Sequence, residues 1–222
     1  GKLLISAEYG VLDGALALAL PTRKGQQLTV TTKKGSGISW RSLDWQGDTW
    51  YKGEFGWAED RLTTKQKDPL SQRLLQLLNL AIGLNPRFLE HELRYDVTTK
   101  LEFPENWGLG SSSTLIHNIS RWSGTNPYTL LENSFGGSGY DIAAANSASP
   151  ILYRLTDDGP ESETIVLDWS FKDSLYFVHL NKKKNSREAI ANYRRQKTLA
   201  RDFIESLSQL TGQMVSCNKL SI

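Results

Sequence analysis

Residues 104 to 118 read PENWGLGSSSTLIHN: a proline, a loop holding Gly108, Leu109 and Gly110, the serines Ser111, Ser112 and Ser113, then an apolar helical pattern. A helix N-terminus presents unpaired backbone N–H groups and a partial positive charge, so it attracts anions. Glycines just ahead of it let a phosphate approach the backbone with no Cβ in the way. Serine hydroxyls add donors to phosphate oxygens, or oxygen ligands for a hard cation such as Mg²⁺. GLGSSS therefore has the chemistry of a phosphate cradle. It lacks the GxxxxGK[ST] pattern of the nucleoside-triphosphatase loop and the GxGxxG spacing of a dinucleotide site. On this stretch alone, a glycine turn with a serine helix cap accounts for the residues equally well.

The surrounding pattern predicts the elements that carry this loop. KLLIS (2–6) reads as a strand followed by the turn-like VLDGA, and Gln27 to Lys33 alternates with Leu28 and Val30 on one face. Ile38 to Trp57 holds Trp40, Trp45, Trp50 and Trp57 around a polar break at Gln46-Gly47-Asp48, which predicts a β-hairpin with one tryptophan-covered face. Asp68-Pro69 starts a helix striped with Leu74, Leu75, Leu77, Leu78 and Ala81. Leu93, Tyr95, Val97, Thr99 and Leu101 alternate as the strand that delivers the chain to the glycine loop. Leu115, Ile116, Ile119 and Trp122 then fall at helical spacing, and a second helix around Tyr128 to Asn133 leads into FGGSGYD. ILYRL (151–155) and TIVLDW (164–169) flank the turn-like DDGPES as a hairpin. LYFVHL (175–180) has the pattern of a buried strand. Asn185 with Glu188 three residues on predicts a cap for one long helix from Ser186 to about Met214. Strands and helices alternate without a βαβαβ rhythm, so the fold class is α+β.

Composition excludes several functions. The 222 residues carry 26 basic and 24 acidic side chains, a net charge of +2, which gives no footprint for nucleic acid or an anionic membrane. No stretch approaches the ~18 apolar residues of a membrane span. Cys217 is the only cysteine and the three histidines are scattered, which excludes an intrachain disulfide and a cysteine-based zinc cluster and suits the cytoplasm. The sequence starts at Gly1, its one methionine is Met214, and the helical pattern stops abruptly at CNKLSI. The expectation is that the natural protein is longer.

Three stretches in order, GKLLISAEYGVLDG, PENWGLGSSST and FGGSGYD, resemble the GHMP kinase superfamily of galactokinase, homoserine kinase, mevalonate kinase and phosphomevalonate kinase. The mevalonate kinase branch is the most similar. Its first motif runs approximately GKxxLFGEHxVxxG, and its second, PxxxGLGSSA, is matched by Pro104 to Ser113. The resemblance implies a two-domain α+β fold, with a nucleotide-binding domain over 1–150 and an incomplete C-terminal domain over 151–222. It also implies Mg²⁺- and ATP-dependent phosphorylation of a small-molecule acceptor, without nucleic acid or membrane partners and with a homodimer as an option.

By the same resemblance, Gly108, Leu109, Gly110, Ser111, Ser112 and Ser113 would wrap the ATP phosphates, with Ser112 a Mg²⁺ ligand. Asp141, in Ser138-Gly139-Tyr140-Asp141, matches the aspartate proposed in mevalonate kinases to take the proton from the acceptor hydroxyl. Lys2 matches the first-motif lysine beside that aspartate; its other reading is a solvated strand-end lysine. Glu132 is either the second Mg²⁺ ligand or an exposed helix carboxylate. Glu8 and Tyr9, with Ser138 and Gly139, occupy substrate-reading positions. Ala7 and Tyr9 replace the motif's glycine and histidine, so the acceptor need not be mevalonate. Lys182, Lys183 and Lys184 read as a solvated loop or as partners for an acidic substrate. The third, C-terminal glycine-rich motif of these kinases has no match after Leu210, so the expectation is either a truncated chain, which its abrupt ends favour, or a degenerate member. The alternative readings are a pseudokinase-like binding protein that keeps the phosphate loop without turnover and, as a third option, the related decarboxylases of the same superfamily.

Overall fold

The computed structural model describes residues 1–180, 186–195 and 200–219. In chain order its strands are β1 (Lys2–Leu4), β2 (Ala17–Pro21), β3 (Gln26–Lys34), β4 (Gly37–Leu43), β5 (Thr49–Ala58), β6 (Arg61–Thr63), β7 (Leu93–Leu101), β8 (Ile151–Thr156) and β9 (Gly159–Thr164). Its helices are α1 (Pro69–Leu84), α2 (Ser111–Ser123), α3 (Pro127–Glu132), α4 (Tyr140–Ala145), α5 (Ser186–Arg195) and α6 (Arg201–Ser216). The chain forms two compact units. The first comprises Gly1–Arg23, Asn106–Gly110 and Gly137–Ile222, and the second Lys24–Glu105 and Ser111–Gly136.

The second unit is built on a five-stranded sheet in the order β3-β7-β4-β5-β6, with β4 and β7 parallel and the other pairs antiparallel. The expected alternation holds along β7, where Tyr95, Val97, Thr99 and Leu101 are buried. Ile38 and Trp40 of β4 and Phe55 of β5 are also buried. Against this face pack α1 and α2, which bury Leu74, Leu77, Leu78 and Ala81, and Ile116 and Ile119. Helix α1 starts where the sequence says: the Asp68 carboxylate accepts from Ser71 N at 2.9 Å and Ser71 Oγ at 2.6 Å, with Pro69 at the first helical position.

The first unit carries an antiparallel four-stranded sheet in the order β1-β2-β8-β9. Val11, Ala17, Ala19, Ala143, Ala144, Ile151 and Tyr153 form its small core, with Leu4 and Tyr140 packed against it. The alanines are what let α4 lie close on β1, β2 and β8.

Several expectations change. The division at Ile151 is not the one the contacts draw, because β8 pairs with β2 through Ile151↔Ala19 and Tyr153↔Ala17. The hairpin after Ile151 exists, but its second strand is Gly159–Thr164, not 164–169; the turn is only Asp157-Asp158, with Thr156 facing Gly159. Residues 175–180 form no strand, and Tyr176, Val178 and Leu180 are exposed. No described strand runs beside them, and the Phe177 and His179 rings lie against Trp107 instead. The single long C-terminal helix is replaced by α5 and α6, since Ala200, at the start of α6, is extended (φ −61°, ψ 144°). The tryptophans do not cover one face. Trp40 is buried beside Trp122, while Trp45 and Trp50 are exposed, because strand alternation sends Trp50 outward. Strand β2 lies in an apolar run that carries no strand alternation, and α4 starts only at the end of FGGSGYD and runs on through Ile142 to Ala145. Asn185 of the expected cap and Lys182 to Lys184 lie outside the described residues.

Candidate functional site

Lys2 joins the three sequence motifs. Its backbone N–H donates to the Leu109 carbonyl at 3.0 Å, fixing the glycine loop to β1. Its ammonium donates to the Tyr140 hydroxyl at 2.6 Å and lies 4.8 Å from the centre of that ring, a cation–π contact. Tyr140 opens α4 next to Asp141, and Gly139 at the cap has φ 87°, a left-handed conformation that favours glycine. The Tyr153 hydroxyl donates to the Ser138 carbonyl, tying the SGYD turn to β8. Asp141 stands in the first turn of α4, its Oδ1 accepting from Ile142 N at 3.1 Å.

The electrostatics follow from that arrangement. Burial alone would lower the Lys2 pKa. Tyr140, Asp141 and Glu8 outweigh it and hold Lys2 above the ordinary lysine range. Burial pushes the Tyr140 phenol up against the opposing pull of Lys2, with Asp141 and Glu8 adding to the rise. At neutral pH the pair is therefore an ammonium donating to a neutral phenol, with two carboxylates in its field. Such a group can attract a transferring phosphoryl oxygen while its position is fixed.

Glu8 sits in a strained turn. Ala7 (φ 59°) and Tyr9 (φ 60°) on either side of it are two of three non-glycine residues with positive φ among the described residues, each costing roughly 1–3 kcal/mol. The turn is closed by Gly10 N to the Glu8 carbonyl at 2.8 Å and Val11 N to the Ala7 carbonyl at 2.9 Å. Glu8 is exposed and Tyr9 half-buried. Strain of this kind concentrates where a side chain must be presented in one direction.

The glycine loop crosses the boundary between the units: Gly108 to Gly110 belong to the first and Ser111 to Ser113 to the second. Gly108 (φ 74°) and Gly110 (φ 84°) both have left-handed backbone. A Cβ built on Gly108 would meet nothing within 4 Å, so the approach to that backbone is open. Ser111 begins α2. Ser113 and Thr114 are buried, while Ser112 is exposed. Thr114 Oγ1 donates to Gln26 Oε1 at 2.9 Å, and Asn118 Nδ2 to the Gln26 carbonyl at 2.8 Å, which pins the first turns of α2 to β3. The open backbone over Gly108 leaves room for a phosphate group in the first unit, and Ser112 exposes a hydroxyl at the start of α2 in the second. Glu132 ends α3 in the second unit and is exposed. No group of three or more His, Cys, Asp or Glu side chains among the described residues is placed to hold a metal. Magnesium bound to nucleotide needs only one or two protein oxygens beside the phosphates and water, and Ser112 and Glu132 have the right donor chemistry.

The structure thus brings Lys2, Glu8, Tyr9, Ser138, Gly139, Asp141 and Gly108 to Gly110 into one unit, and Ser111 to Ser113 and Glu132 into the other. Tyr140 stands inside the SGYD motif, but its pairing with Lys2 spans 138 residues and leaves no local signal in the sequence; the Tyr153 bond to Ser138 is likewise invisible locally.

The chain has the fold of the GHMP kinases. Methanococcus jannaschii mevalonate kinase is similar with a TM-score of 0.66 at 12% identity, over 98% of this chain and 71% of that one. Streptococcus pneumoniae phosphomevalonate kinase, in complex with phosphomevalonate and AMPPNP, gives 0.64 at 14% identity over 97% and 71%. The L. major mevalonate kinase in complex with R-mevalonate gives 0.60 at 12% identity over 96% and 65%. The chain therefore spans about two thirds of the length of these kinases. No family model matches it, and no curated protein matches it in sequence. No helix among the described residues is long and apolar enough to cross a membrane.

Proposed function

We propose that this protein is a small-molecule kinase of the GHMP type that uses Mg²⁺ and ATP to phosphorylate a small metabolite, with a hydroxyl as the acceptor group. The observation that carries this is the position of Lys2: its backbone is bonded to the glycine loop and its ammonium to the residue beside Asp141. Three motifs far apart in sequence meet on it, on a fold shared with mevalonate and phosphomevalonate kinases.

Phosphoryl transfer asks a protein for positioning, charge neutralisation and an oriented base. Gly108 to Ser113 would hold the ATP phosphates through backbone N–H groups and serine hydroxyls. Ser112 and Glu132 would ligate Mg²⁺, which, when bound, neutralises charge on the phosphate oxygens. Lys2 would attract the transferring group and fix Asp141's surroundings. Asp141 would accept the acceptor's hydroxyl proton at a carboxylate oxygen. Glu8 and Tyr9, with Ser138 and Gly139, would line the acceptor's place.

A protein that binds nucleotide without turnover is the second reading, favoured by the commitment of the Lys2 ammonium to Tyr140. Calorimetric titration of MgATP into wild type and Ser112→Ala, followed by ADP release with R-mevalonate, phosphomevalonate and galactose, separates the two. The kinase reading expects binding that weakens in Ser112→Ala, and ADP release stimulated by an acceptor. Binding with no release beyond the acceptor-free rate supports the second reading, and no binding at all removes both.

A further inference from the structure

The strained turn around Glu8 is gripped by a side chain from far along the chain. The Tyr193 ring of α5 stacks on the Tyr9 ring, centroids 5.3 Å apart and planes within 20°. The Tyr193 hydroxyl donates to the Asp13 carboxylate. Tyr9 and Asp13 bracket the 3₁₀ turn Gly10–Asp13, Tyr9 as its cap and Asp13 as its last residue. One tyrosine thus holds both ends of the element that follows Glu8.

Helix α6 secures the flanks of the same segment. Thr211 Oγ1 is 2.9 Å from Ser6 Oγ and donates to the Leu16 carbonyl at 2.8 Å, and Leu16 N donates to Ser208 Oγ at 3.0 Å. Leu207 stands so close to Gly10 that a Cβ there would meet its Cδ1 at 2.7 Å. Positive φ at Ala7 and Tyr9 persists only where the surroundings over-determine it. The stack on Tyr9 and the bond to Asp13 act at the two ends of the turn itself, whereas the α6 contacts lie on its flanks.

We propose that Tyr193 is a positioning residue that holds the Ala7–Tyr9 turn, and with it the Glu8 carboxylate, in the conformation that presents Glu8 to the phosphoryl acceptor. This rests on the kinase reading for its functional half. Burial, the bond to Asp13 and that carboxylate's charge keep the Tyr193 phenol protonated well above the ordinary tyrosine range, so the hydroxyl remains a donor across working pH. The contacts of Tyr193 are with Tyr9 and Asp13 rather than with the glycine loop, so its loss should disturb acceptor binding and spare nucleotide binding.

The test is amide hydrogen exchange on the whole protein, comparing wild type with Tyr193→Ala and Tyr193→Phe. The amides of Gly10, Val11 and Leu12, bonded to the carbonyls of Glu8, Ala7 and Tyr9, should exchange on the order of tenfold faster in Tyr193→Ala. Ala19 and Leu20 in β2 should be unchanged. Tyr193→Phe keeps the ring and should recover most of the protection. Should Tyr193→Ala fail to fold, Tyr193→Leu preserves apolar bulk without the stack and takes its place. Unchanged exchange at Gly10 to Leu12 in the folded variant overturns the proposal. With the acceptor that supports ADP release, the same variant should raise its KM about tenfold or more, with kcat and MgATP affinity nearly unchanged. A fall in kcat at constant KM overturns the positioning role. If wild type turns over no acceptor, the kinase reading fails while the exchange result still decides whether Tyr193 holds the turn.

Discussion

Replacing Gly108 by alanine separates backbone strain from ligand contact at the glycine loop. Gly108 sits at φ 74°, where an alanine costs roughly 1–2 kcal/mol relative to right-handed backbone. The added methyl group meets no protein atom within 4 Å, so no steric cost adds to that figure in the free protein. Gly108→Ala should therefore lower unfolding free energy by about 1–2 kcal/mol, read from urea melts. If the open space over Gly108 is where phosphate approaches, the same methyl group blocks it; strain shared by the free and bound folded protein leaves affinity alone, whereas loss of one charge-assisted hydrogen bond to phosphate, worth about 1.5–3 kcal/mol, should lower MgATP affinity by roughly tenfold or more. Calorimetric titration measures that fall directly. Gly10→Ala is the contrasting case, with ordinary backbone and a 2.7 Å approach to Leu207 Cδ1, the free end of a half-buried side chain that can turn aside; it should change stability less than Gly108→Ala and spare MgATP affinity. A Gly108→Ala protein that loses stability as expected and still binds MgATP like wild type would refute the phosphate cradle.

Other predictions concern charge and packing. Lys2 is held above the ordinary lysine range in the folded state, so its stabilising contribution is complete below the unfolded lysine value and is lost as pH rises through the raised one; thermal melts across the alkaline range should show this loss, and Lys2→Met should abolish it. The Asp68 carboxyl is held below its usual range by the Ser71 hydroxyl and backbone bonds. Its contribution is therefore present above the unfolded aspartate value and is lost as pH falls through the lowered one. Asp68→Ala should fray the start of α1, visible as faster amide exchange at Ser71. Ile116, fully buried in α2, should cost about 2–5 kcal/mol when cut to alanine, again by urea melt.

What the sequence shows depends on the range of the forces involved. Asp68-Pro69 and the β7 alternation are local patterns, and the structure follows them closely. The glycine loop was legible because left-handed backbone demands glycine at 108 and 110. The Lys2–Tyr140 bond and the Tyr9–Tyr193 stack join residues remote in sequence, and nothing near either partner announces the other. Apolar content alone misled at 175–180, where no described strand supplies a neighbour, and in the run that conceals β2. The polar residues of DDGPES suggest a turn throughout, but a strand at the edge of a sheet tolerates Pro160, Glu161 and Glu163 facing solvent.

Transfer of the γ-phosphoryl group of radiolabelled ATP to an acceptor, compared in wild type and Asp141→Asn with MgATP affinity measured alongside, tests the central claim most directly. The account predicts labelled acceptor from wild type, a loss on the order of 10²–10⁴-fold in rate for the variant, and nearly equal MgATP affinity in both. Near-normal transfer by Asp141→Asn, or no transfer by a wild type that binds MgATP, would contradict it.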